Sequence, residues 1–96
     1  MNEVEQLVIK NLLLEEEYVR KALPFIKSEY FADLTGKRLF EVIHKYFTEY
    51  SAIPTKEALV IEVGQLSDIS DDQHQEIVKA IGNIDTDKSE FEWILD

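Results

Sequence analysis

The spacing of apolar residues between Leu34 and Tyr50 constrains this chain more than any other feature. Leu39, Phe40, Ile43, Phe47 and Tyr50 recur at i, i+3 and i+4 intervals, with Val42 and Tyr46 beside them. That period belongs to a helix, whose neighbours on one face lie three and four residues apart, and not to a strand, whose side chains alternate. It predicts one long helix starting at Leu34 or Thr35 and ending at Tyr50. No Val/Ile/Thr-rich alternating run bounded by hairpin turns occurs elsewhere, so no sheet is expected.

The rest of the chain divides into shorter helical segments. Val4, Leu7, Val8 and Leu12 fall at helical spacing over Glu3 to Leu14, with Glu5 and Lys10 on the other side. Ile9, Leu13 and Leu14 widen that stripe, which implies burial on more than one side or a partner. Glu15, Glu16 and Glu17 open a second helix reaching Leu23, where carboxylates favour the positive end of the helix dipole. Tyr18, Val19 and Ala22 are its inward residues. Pro24 should end it by pushing Leu23 out of helical geometry. Phe25 and Ile26 are expected to carry the apolar contact into a loop. Ser28 to Asp33 reads as a short turn or a single helical turn, with Tyr30 and Phe31 as plugs.

Beyond the long helix, Thr55 is placed to cap a helix from Lys56 to Val63, with Gly64 as its stop. Ser70 or Asp71 can cap another from Asp72 to Ile81, carrying Ile77, Val78, Ile81 and Ile84, with Gly82-Asn83 as its end signal. Ser89 can cap a sixth helix beginning with Glu90, Phe91, Trp93 and Ile94. That last pattern has no closing Gly, Asn or Pro, so residues 1–96 read as one domain within a longer protein. Short loops and unequal helices disfavour a regular up-down bundle. The expected fold is all-α, a small orthogonal bundle of five to six short helices.

Charge narrows the partners. Ten Lys and Arg against twenty Asp and Glu give a net charge of −10. Such a chain repels the phosphate backbone, whose neutralisation by Lys and Arg drives nucleic-acid affinity. A basic protein partner, or simple solubility, fits better. The chain has no cysteine, which removes disulfides, thiolate chemistry and Cys-type zinc sites. No apolar run reaches the roughly 18–20 residues needed to cross a bilayer. Glu3 and Glu5 stand where a signal peptide carries basic residues. The cytosol is the expected location.

The residues that could carry chemistry do not assemble into a motif. Gly36-Lys37 ends like a phosphate-binding loop, G-x-x-x-x-G-K-[ST]. Phe31 stands where its first Gly belongs, and Arg38 where the magnesium-binding Ser or Thr belongs. His44 and His74 lie thirty residues apart, and zinc needs three or four convergent ligands. Glu15 to Glu17 and Asp71-Asp72 are adjacent on helices, so their side chains diverge. Both runs sit where a helix starts, and the dipole accounts for them. Asp68, Asp71 and Asp72 miss the calcium-loop spacing. Lys37, Arg38, Lys45 and Lys56 form the one basic concentration, expected as a solvated face. Tyr30, Phe31, Phe40, Tyr46, Phe47 and Tyr50 are expected as core rather than a base-stacking platform. No catalytic, cofactor-binding or metal-binding residue is assigned. Ile9 and Leu13 on the first helix, and Val60 and Val63 at the end of the fourth, exceed what one core face needs; they are the candidate partner interface.

The order of these segments resembles the amino-terminal domain of DnaB-type replicative DNA helicases, most closely those of T-even-type phages. Leu12-Leu13-Leu14-Glu15 is similar to the family's first-helix ending. Tyr30-Phe31 matches the segment ahead of the long helix, Phe40 and Ile43 its apolar stripe, and Pro54, Ala58 and Leu59 the loop and helix that follow. Phe91-Glu92-Trp93 would open the next family helix. The similarity spans nearly the whole chain. The helical hairpin, linker and ATPase domain that follow in the family are missing.

The resemblance implies a non-catalytic collar on a hexameric motor. It would help subunits assemble and dock the primase and the helicase loader, in the cytoplasm of an infected bacterium. ATP and magnesium would belong to the parent ATPase domain. Without the hairpin, the fragment is expected to be monomeric. The alternatives are a free-standing acidic adaptor for a basic partner, a nucleic-acid-binding helical domain whose affinity falls steeply with salt, and, last, an enzyme.

Overall fold

Asn2 starts the first helix. Its side-chain oxygen accepts the Glu5 N–H at 2.8 Å, while the Glu5 carboxylate accepts the Asn2 N–H at 3.1 Å. This reciprocal box satisfies two backbone donors that a helix start leaves free. Helix α1 then runs Glu3–Leu14. The chain kinks through extended backbone at Glu15 into α2, Glu16–Ala22. The computed structural model describes residues 2–84; the sixth helix expected from Ser89 and the Phe91-Glu92-Trp93 segment lie outside those residues.

Pro24 acts differently from the expectation. Leu23 keeps right-handed helical backbone, φ −54° and ψ −42°, and α2 passes into a single 3-10 turn, Leu23–Phe25. Proline is tolerated in the first turn of a helix because the N–H it lacks would go unused there. A second 3-10 turn, Ser28–Tyr30, precedes the long helix α3, Leu34–Tyr50. Asp33 caps α3 by accepting the Thr35 N–H at 2.9 Å. Ser51 ends it in left-handed backbone, φ 53°, with its N–H on the Phe47 carbonyl at 2.8 Å. Thr55 caps α4, Lys56–Gly64, through the Ala58 N–H. Ser70 and Gln73 form a second reciprocal box that starts α5, Asp71–Asn83.

Helices α4 and α5 end at Gly64 and at Asn83, where the sequence placed their stops, but not through a left-handed glycine. Both glycines are helical, and no described glycine has positive φ. Helix α4 gives way at Gln65, which keeps right-handed backbone, and α5 at Ile84, which is extended.

Among the described residues, every regular element is helical, as the periodicity requires. The fold is all-α. Helix α3 packs against α1, α4 and α5, while α1 pairs with α2 and α4 with α5. Ile9, Leu12, Val19, Leu39, Ile43, Leu59, Val63, Ile77 and Ile81 are wholly withdrawn from solvent, with residues from all five helices in the set. Burying a side chain of this size contributes about 1.5–3 kcal/mol, so these positions fix how the helices meet. Phe31 and Phe40 stack inside the same core with ring centroids 5.2 Å apart.

Several inward assignments are corrected. In α1 the buried residues are Glu5, Ile9, Leu12 and Leu13, whereas Val4 and Leu7 are 70% and 58% exposed. The helix is rotated relative to its apolar stripe because the Glu5 carboxylate accepts the Ala32 N–H at 2.9 Å, which draws Glu5 inward. Tyr30 is exposed and only Phe31 plugs the core. Phe25, beside Pro24, and Tyr50, at the last residue of α3, also face solvent. Tyr50 leans on Tyr46, centroid to centroid 4.6 Å.

Candidate interaction surface

Of the four residues expected at a partner interface, the structure withdraws three. Ile9, Leu13 and Val63 are core residues. Ile9 and Leu13 lie on the α1 face that Glu5 turns inward, and Val63 is held between α4 and its neighbours. Polar substitution there would attack folding rather than a surface. Val60 is 38% exposed and stays on the outside of α4. Sequence spacing marked α4 as apolar over more than one face, but it could not tell which valine the bundle would claim.

The apolar side chains that do reach solvent fall in separate places. Val4 and Leu7 lie one turn apart on the outer side of α1. Leu7 borders a groove of about 610 Å³ between α1 and the end of α5, whose walls include Lys10, Glu76, Lys79 and Asn83. Val60 and Ile61 lie on the outer side of α4, Ile61 at 61% exposure. A smaller hollow of about 350 Å³ sits between α2 and α3, beside Leu23, Pro24, His44 and Phe47.

The basic residues are not a free phosphate-binding patch. The Arg38 guanidinium lies 2.7 Å from the Asp68 carboxylate and 3.3 Å from that of Glu41, and its side chain is largely covered. Its Nε is buried without a protein acceptor. Lys45 is exposed on α3, while Lys37 and Lys56 are half-covered. The Arg38–Asp68 contact joins α3 to the loop between α4 and α5, a structural use that single-sequence spacing could not show. His44 is exposed against the Phe40 ring, and His74 is half-buried on α5. Among the described residues no three His, Cys, Asp or Glu side chains are grouped to hold a metal ion, and no helix is long and apolar enough to cross a membrane.

This arrangement leaves helix faces of mixed apolar and acidic character at the surface. The chain is 21% identical over 90 residues to a DnaB-like replicative helicase of Enterobacteria phage T4. The match covers 94% of this chain and 19% of that helicase, so the chain spans about a fifth of its relative's length. No family model matches the chain.

Proposed function

We propose that this chain is the amino-terminal, non-catalytic assembly and interaction segment of a phage replicative DNA helicase. The observation that carries the reading is the similarity to the phage T4 helicase, which runs through almost all of this chain but only a small share of the larger protein. The all-helical fold agrees with it, and so does the order of Leu12-Leu13-Leu14, Tyr30-Phe31, Phe40, Ile43 and Pro54. On this reading the segment sits as a collar on a hexamer. Its partners are other helicase subunits, the primase and the helicase loader. ATP and magnesium act in a separate ATPase domain of the parent chain. Strong negative charge keeps the collar itself off DNA.

The test is the source gene downstream of codon 96. A continuing frame that encodes G-x-x-x-x-G-K-[ST] about a hundred residues further on is the expected result, since that loop cradles nucleotide phosphates. A stop codon directly after Asp96 would overturn the reading and leave a free-standing acidic adaptor in its place.

A further inference from the structure

Between Glu57 and Val78 the chain carries Glu57, Glu62, Asp68, Asp71, Asp72 and Glu76, and no lysine or arginine. Arg38 reaches in from α3 to neutralise Asp68. Lys56 and Lys79 stand just outside the two ends of the stretch. On this negative ground lies an apolar ridge. Glu57, Val60, Ile61 and Gly64 are all exposed and follow one another at helical spacing along the outer side of α4. At Gly64 the ridge reaches α5: a Cβ there would lie 3.9 Å from His74 Nε2. One turn before His74 on α5 is the exposed Asp71.

We propose that this ridge, Glu57 to Gly64 with the Asp71–His74 edge of α5, docks a basic amphipathic helix of a partner protein. The choice of partner follows from sign and shape. A second copy of this chain brings another −10 charge against the same face, and nucleic acid is repelled for the same reason. A cationic helix with an apolar strip gains on both counts. Its charges are drawn to the carboxylates, and its strip covers Val60 and Ile61. A row at i, i+3, i+4 and i+7 is the pattern through which helices pack ridge into groove. This names a face and a partner chemistry for the interaction role proposed above. A free-standing adaptor could use the same face, so either idea can fail alone.

The test uses a synthetic lysine–leucine peptide of about five helical turns, its leucines on one face. An isomer of the same composition has its leucines scattered. Amide shifts of the labelled protein are expected to move at Glu57, Val60, Ile61, Gly64 and Asp71 with the first peptide only. Replacing both Val60→Ser and Ile61→Ser, which leaves the charge unaltered, should weaken binding about tenfold, or about 1.4 kcal/mol. Leu7→Ser, at an exposed apolar site on α1, should change it by less than about twofold. Equal binding of the scattered isomer would mean bare charge attraction and would overturn the proposal. So would shifts centred on α1, or a dimer in light scattering that depends on Ile61. Should the double variant melt without cooperativity, the shift map on the unaltered protein decides.

Discussion

Glu5 joins two parts of the chain that lie far apart in sequence. Its Oε2 accepts from Asn2 and its Oε1 accepts from Ala32, so one carboxylate starts α1 and anchors the loop ahead of α3. Hydrogen bonds to a charged acceptor contribute more than neutral ones, about 1.5–3 kcal/mol. Both donor residues are open to solvent, so water recovers part of the loss when the carboxylate is removed. Glu5→Ala is therefore expected to lower unfolding stability by about 2 kcal/mol in urea titrations, with the m-value unchanged. Glu5→Gln should cost less, because the amide keeps one acceptor oxygen. A Glu5→Ala protein within about 0.5 kcal/mol of the parent would show that the two N–H groups are as well served by water.

The ends of the helices obey local chemistry in some places and packing in others. Thr55 and Ser70 were legible as caps because a hydroxyl next to free N–H groups acts through a few neighbouring residues, and both are seen capping. The glycines mark where α4 and α5 end but stay helical instead of turning left-handed, because helix extent is also set by what packs beyond it. Ile84 is buried in the core, and α5 continues through Gly82 toward it. The one left-handed residue among those described is instead Ser51, which nothing in its side chain announces. Two substitutions exploit this exchange of roles. Ser51→Gly removes the steric cost of a Cβ in left-handed backbone, offset in part by the greater freedom of glycine in the unfolded chain. A gain of about 0.5–1 kcal/mol is expected in thermal melts. Gly82→Ala places its Cβ in open space, so helix propensity should stabilise it by up to about 1 kcal/mol. Destabilisation by Gly82→Ala would mean that α5 does not run helically through this position in solution.

At the scale of the whole molecule, the order and class of the elements were readable because periodicity is a local property of Leu39, Phe40, Ile43 and their like. The surface was not, because it is what remains after packing. Ile9, Leu13 and Val63 look like Val60 in sequence, and only the meeting of α1, α3, α4 and α5 separates core from ridge. Net charge, by contrast, needs no structure, and it carries a prediction that ties folding to binding. The twenty carboxylates against ten cations repel one another most when the chain is compact. The pairs Arg20–Glu16, Arg38–Glu41 and Arg38–Asp68 oppose this, but pairs whose carboxylates are open to solvent contribute only about 0–1 kcal/mol each. Repulsion therefore dominates at low salt, where the screening length is about 30 Å in 0.01 M solution, and fades as it shortens to about 10 Å at 0.1 M. Raising sodium chloride over that range and beyond should raise Tm by roughly 4–8 °C, the shift that about 1 kcal/mol produces in a chain of this size. The same salt should weaken the lysine–leucine peptide, whose attraction to the Glu57–Gly64 ridge is partly charge. Opposite responses of Tm and peptide affinity in one salt series are thus the expected signature. A Tm that falls with salt would mean that the ion pairs and helix-start carboxylates outweigh the net charge in holding this fold.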